Sequence, residues 1–240
     1  MQTISEQTIG QIAAKHPAAE RIFETLGIDY CCGGKRSLSA ACADAKVPVE
    51  TVIGLLESSE EIPHPGVPND APLGELTLHI VETHHGFVRR ESPRIQALLT
   101  KVSDKHGPVH PELLELKTLF VALAEELAEH MMKEERILFP YIAALEGAAE
   151  PSACFGSVES PISVMVADHE NAGATLSKMR VLTDGYQAPD DACAGFQALY
   201  RALEEFERDL HSHVHLENNV LFPRAMAEQR ARRTTTAQAK

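Results

Sequence analysis

His130 to Pro140 reads HMMKEERILFP, and His213 to Pro223 reads HVHLENNVLFP. At an offset of 83 residues, His130 falls on His213, Glu134 on Glu217 and Leu138-Phe139-Pro140 on Leu221-Phe222-Pro223. Each copy carries a His followed four residues later by a Glu. On a helix that spacing sets both side chains on one face, one turn apart. A Pro closes each copy. An imidazole and a carboxylate on one helical face, twice over, is what a two-metal site needs.

The residues leading into each copy decide whether that face is buried. Leu199, Leu203, Phe206 and Leu210 follow steps of four, three and four, and His213 and Glu217 continue the rhythm. Leu116, Leu123 and Leu127 lead in the same way to His130 and Glu134. The polar pairs therefore occupy core positions, where a carboxylate without a partner is very costly. Upstream, His85 lies in a Leu78–Val81–Val88 seam and His169 lies among Ile162, Val166 and Leu176. His85 precedes His130 by 45 residues and His169 precedes His213 by 44, so the duplication is longer than the motif that announces it. Each half supplies one inward His from a first helix and His-x-x-x-Glu from a second. A single His on an apolar seam is more often an ordinary core residue than a ligand. Six such groups in register, duplicated with their flanks, reverse that balance.

The rest of the chain frames these helices. Residues 1–61 predict a small helical domain, with helices over Thr8–Lys15, Ala18–Leu26, Ser37–Ala45 and Pro48–Leu56 around a glycine-rich loop at 27–34. Ile62 to Pro72 contains four Pro without periodicity and reads as a linker, residues 62–72. Residues 73–230 predict four long helices, over about 73–99, 111–144, 161–182 and 190–230, and Pro93 is placed to end or kink the first. The basic stretch Arg230, Arg232, Arg233 leads into a flexible tail, residues 231–240. No segment shows sustained period-two alternation. The expected class is all-α, a four-helix bundle preceded by a small helical domain.

Composition excludes several functions. A net charge of −13 repels nucleic-acid phosphates. The apolar runs are too short to span a membrane, and the first residues have no apolar signal core, which predicts a cytoplasmic protein. Five irregularly spaced Cys do not form a secreted disulfide scaffold. Imidazole with carboxylate suits iron, manganese or zinc. There is no H-E-x-x-H and no paired Glu-x-x-His, so neither a zinc protease nor a ferritin-like site is indicated. The histidine-rich set points to a different, carboxylate-bridged di-iron arrangement. Glu134 and Glu217 would bridge, and each metal would receive two His and two carboxylate oxygens. An oxo or hydroxo bridge would add a fifth ligand and leave one position for a small molecule.

Five stretches carry a family resemblance: DYCCGG at Asp29–Gly34, HIVETHH at His79–His85, HMMKEERILFP, SVMVADHENAG at Ser163–Gly173 and HLENNVLFPRA at His215–Ala225. Together they make nearly the whole chain resemble the repair-of-iron-centres di-iron proteins, whose bundle is hemerythrin-like. The resemblance implies two non-haem iron ions held by His85, His130, Glu134, His169, His213 and Glu217. It also implies an N-terminal double-cysteine domain, a cytoplasmic stress-response role restoring iron–sulfur proteins damaged by nitric oxide or oxidation, and a homodimer. His84, turned about 100° from His85, is expected off the metal axis. His106 matches a His that relatives keep near the site, although it falls in a loop. Asp168 stands where relatives often show a Glu, in a channel or beside a ligand. Adjacent Cα atoms are about 3.8 Å apart, so a vicinal Cys31–Cys32 bridge would be strained. The residues alone read Cys31 and Cys32 as structural thiols near a turn; the resemblance favours exposed thiols that hold iron, bind nitric oxide or exchange electrons. Cys42, Cys154 and Cys193 are read as ordinary small side chains. Three functions compete: cluster repair, capture of nitric oxide or dioxygen by a scavenger or sensor, and reduction of nitric oxide to nitrous oxide. A reversible oxygen carrier ranks last.

Overall fold

The computed structural model describes residues 4–16, 18–59, 68–147, 151 and 155–238. Among them there is no strand, only one isolated bridge between Thr8 and Ser37. Four short helices come first: α1 (Ile9–Lys15), α2 (Ala19–Thr25), α3 (Leu38–Ala45) and α4 (Val49–Ser58). The Thr8 hydroxyl caps α1 by accepting from the Gln11 amide, and the Gln11 side chain returns the bond, each at 3.3 Å. Ser37 caps α3 by accepting from the Ala40 amide. These helices close over Ile9, Ile12, Phe23, Tyr30, Leu38 and Val52. Most of the Pro-rich stretch, residues 62–67, lies outside the described residues.

Four rods follow. The first joins α5 (Leu73–Ile80) and α6 (Gly86–His106), and the second joins α7 (Glu112–Lys133) and α8 (Phe139–Ala144). The third is α9 (Glu159–Leu182), and the fourth joins α10 (Ala194–His215) and α11 (Phe222–Gln238). α6 packs on α7 and α10, and α7 on α9, closing a four-helix bundle. Pro93 neither ends nor breaks the first rod, which runs on to His106. The ring lies on the exposed face, where water can take the carbonyl that lost its donor.

Three of the rods are joined through π-turns: Val81–His85, Glu134–Leu138 and Leu216–Leu221. Widened bonding explains two departures from simple periodicity. Leu78 is 55% exposed and leaves the seam assigned to it, because the π-turn re-phases the helix and gives the buried face to Leu76, Ile80, His84, His85 and Val88. The prolines are not stops either. The Phe139 amide reaches back to the Glu134 carbonyl and the Phe222 amide to that of Glu217, so Pro140 and Pro223 follow a turn already opened.

Two apolar clusters fill the bundle. One gathers Val88, Phe120, Leu127, Met131, Leu203 and Leu210, and the other Leu76, Ile80, Leu138, Ile142, Met165 and Leu221. The chain passes from one cluster to the other four times. At each crossing it places its polar residues: His85, His130 with Glu134, His169, and His213 with Glu217. The site is a polar layer between two dry ones.

Candidate metal centre

The structure brings together all six side chains singled out by the repeat, each no more than 3% exposed. They form two groups of four, each with donor atoms within 4.8 Å of one another: His85, Glu134, His213, Glu217, and His130, Glu134, His169, Glu217. Both carboxylates belong to both groups. Glu134 faces His130 Nε2 with Oε1 at 3.3 Å and His85 Nε2 with Oε2 at 3.4 Å. Glu217 faces His213 Nε2 with Oε1 at 3.0 Å and His169 Nε2 with Oε2 at 2.9 Å. Each carboxylate thus divides its oxygens between two histidine pairs.

Most of these contacts are not hydrogen bonds. Among the described residues, His85 Nε2, both oxygens of Glu134 and Oε2 of Glu217 are buried without an acceptably angled partner. A buried carboxylate left so, as Glu134 is, would cost several kcal/mol, and Glu217 keeps only the bond between His213 Nε2 and its Oε1. Donors bound ~2.0–2.2 Å from a common ion sit ~3 Å apart at right angles, which is close to the spacing seen. The donor set therefore fits two carboxylate-bridged iron ions. The field has the required sign: burial works against a charge on His130, yet Glu134 and Glu217 lift its pKa to about 9. His213 is pulled the other way, because its complete enclosure outweighs Glu217.

Outer partners stand at equivalent positions in the two halves but differ in kind, and Glu135 and Asn218 are not evident from the ligand pattern. Glu135 Oε1 accepts from His85 Nδ1 at 2.6 Å and also pairs with Arg89. Partial burial opposes the charge of Glu135, but His85 and Arg89 prevail and hold its carboxyl below the usual range. At the same offset of 83 stands Asn218, whose Oδ1 meets His169 Nδ1 at 2.9 Å. Asp168 lies 3.4 Å from His130 Nδ1 and 3.2 Å from Lys133 Nζ. His84 occupies the position equivalent to Asp168, as His85 does to His169. It bonds to Asp209 at 3.1 Å and lies parallel to the His213 ring, at 5.5 Å and 3°, and His213 Nδ1 has no hydrogen-bond partner among the described residues. The two Phe of the repeat also have a place: Phe139 stacks on His85 at 5.7 Å, and Phe222 on His169 at 6.1 Å. An alignment of the halves beyond the metal-binding residue types would have flagged Glu135 and Asn218.

The DYCCGG loop lies against this layer. Asp29 holds it by accepting from the amides of Cys31, Cys32 and Gly33 at 3.0–3.2 Å. Cys31 is buried rather than exposed, Cys32 is half-buried, and their sulfurs are 3.9 Å apart. Contact with the Cys32 thiol, burial and the Asp29 carboxylate push the Cys31 thiol well above its usual range. Asp29, Cys31 and Cys32 form a third cluster able to hold a metal.

His106 ends α6, about 30 Å along the helix from His85, and takes no part in the centre. It contacts Cys193 instead, Nε2 to Sγ, at 3.2 Å. Cys193 is thus no ordinary small side chain: at the start of α10, the Phe196 amide and His106 draw its thiol down to about 7. Cys42 is buried in the N-terminal core, and Cys154 lies outside the described residues.

Fold and site together define a hemerythrin-like protein: the model for the hemerythrin HHE cation binding domain matches residues 76–225. A second model, a domain of unknown function named for the ScdA N-terminus, matches residues 5–60. The iron-sulfur cluster repair protein YtfE of Pectobacterium atrosepticum is 36% identical over 222 residues, 92% of this chain and 97% of its own. The protein of that name from Escherichia coli O8 is 37% identical over the same shares, and that from Shigella boydii 36%. The chain belongs to the YtfE family of iron–sulfur cluster repair proteins. No described helix is long and apolar enough to cross a membrane.

Proposed function

We propose that the chain holds one iron ion between His85 and His213 and a second between His130 and His169, with Glu134 and Glu217 bridging. We also propose that it serves the repair of iron–sulfur clusters damaged by nitrosative and oxidative stress. The observation that carries the site is the division of each buried carboxylate between two histidine pairs. The role is supported by the name its relatives bear and by likeness along 92% of the chain. Bound there, the pair of ions would supply redox chemistry and a coordination position for a small ligand. The protein's own side chains orient and insulate it. Glu135, Asp168 and Asn218 fix three imidazoles through Nδ1, leaving Nε2 for the metal. Phe139 and Phe222 keep water off the rings.

A specific feature leaves room beside the site for a small ligand such as nitric oxide or dioxygen. A cavity of about 250 Å³ between α7, α9 and α10 has His130, His169 and His213 on its wall and the Lys133–Asp168 pair among its lining. It is large enough to admit a small ligand, a diatomic molecule included, and so accommodates the alternatives of a nitric oxide scavenger or reductase. The same proposal takes residues 1–61 as the cysteine domain, 62–72 as linker, 73–230 as the bundle and 231–240 as tail, although α11 continues as helix to Gln238, in a cytoplasmic homodimer.

The test is to add the iron-loaded protein to an iron–sulfur enzyme inactivated by nitric oxide. Restored activity supports repair. A stable nitrosyl without restoration supports the scavenger, and nitrous oxide released from the reduced protein supports the reductase. The variant Cys31→Ala/Cys32→Ala is expected to lose most of the restoration. Unchanged restoration would remove the thiols from the account.

A further inference from the structure

The cysteine loop does not merely lie near the centre; it is tied to one of its ligands. The tie runs through Asn218. Its Oδ1 meets His169 Nδ1 at 2.9 Å, and its Nδ2 donates toward the Cys31 carbonyl at 3.5 Å. The amide orientation follows from that network, since only the NH₂ can serve a carbonyl. With Oδ1 accepting, the proton of His169 is fixed on Nδ1 and the Nε2 lone pair is free to face Glu217 and the ion.

The loop grips the same histidine a second way. Cys32 Sγ lies 3.5 Å from the His169 carbonyl, and a Cβ on Gly173, one turn further along α9, would stand 3.2 Å from that sulfur. Neighbouring Asn219 donates to the Tyr30 and Cys31 carbonyls, each at 3.3 Å. A Cβ on Gly34 would come within 2.3 Å of Asn219 Oδ1, so the last Gly of DYCCGG is what lets the loop approach. The Cys31 carbonyl therefore accepts from two side chains of the π-turn that carries Glu217.

The equivalent residue in the first half, Glu135, holds His85 with a charged bond at 2.6 Å that Arg89 supports. Asn218 offers a neutral bond, weaker in kind, and its other end depends on where the loop sits.

We propose that Asn218 is a positioning residue that couples the Cys31–Cys32 loop to the ion held by His130 and His169, so that a covalent change at Cys32 loosens that ion and not the other. The proposal rests on the two-ion site proposed above. It gives the loop a role in governing when iron can leave.

The experiment follows iron release to a chelator from loaded protein carrying Cys154→Ser and Cys193→Ser; with Cys42 buried, alkylation with iodoacetamide then reports on the loop. Loss of an outer-shell partner costs roughly 10–100-fold in metal affinity. Alkylating Cys32 is therefore expected to speed release of one of the two ions by about tenfold or more. Asn218→Ala should speed the same ion's release without alkylation, and alkylation should then add little. Asn218→Asp separates the two ends of the tie: a carboxylate still accepts from His169 but repels the Cys31 carbonyl. It should release slowly and ignore alkylation, with an unchanged melting temperature confirming the fold. Equal acceleration by alkylation in wild type and Asn218→Asp overturns the coupling while leaving the site intact. Wild-type protein that loads no iron overturns both.

Discussion

The first and second halves of the bundle place the same donors with different supports. In the first, His85 sits on a π-turn, and its outer nitrogen is held by a carboxylate that an arginine braces. In the second, His169 sits in an unbroken α-helix, and its outer nitrogen is held by an amide that also touches the cysteine loop. His84 and Asp168, equivalent in position, have likewise parted, one stacking on a ring and the other reaching a ring nitrogen. The metal-facing residues are under one chemical constraint and stayed alike. The outer residues are constrained only by what surrounds each half, and there the N-terminal loop has claimed one side.

That comparison can be broken at several strengths. The largest effect is expected where the halves are most alike. Phe139→Ala and Phe222→Ala each empty a buried space over a histidine, and each should cost about 3–5 kcal/mol. Denaturant melts of both variants check this, and a clear inequality would mean the halves do not share the load equally. Next, Glu135→Gln gives the first half the neutral support of the second. The His85 ion should be released about tenfold faster, while sensitivity to Cys32 alkylation, seated in the other half, stays as in wild type. The smallest effect lies far from both. Because the Cys193 thiol is drawn to about 7, its alkylation should be slow below that pH and reach half its maximum near it. His106→Ala should move that midpoint up toward the ordinary cysteine value of about 8.5, as peptide mass spectrometry after timed alkylation would register.

The sequence disclosed the fold through apolar spacing and disclosed the centre through duplication. Leu199, Leu203, Phe206 and Leu210 lead to His213 and Glu217 in the folded chain as they do on paper, and all six are buried. What escaped was whatever breaks the 3.6-residue period or bonds through atoms that no residue pattern reveals. The exposed side chain of Leu78 follows from a π-turn, which a search at α-helical spacing cannot register. Glu135 stands beside the bridging Glu134, and Asn218 is an amide, a side chain that a pattern of metal ligands does not single out. Cys193 and His106 lie 87 residues apart and meet only because the rods bring the ends of α6 and α10 together. A loop flanked by glycines reads as surface, yet Cys31 is sealed by a π-turn nearly 190 residues away.

The central claim is that Glu134 and Glu217 each serve two ions. The most direct test is iron per chain in anaerobically reconstituted wild type, Glu134→Ala and Glu217→Ala. Two irons in wild type and well below two in each variant is the predicted result. Two irons retained in either variant would contradict the bridging centre.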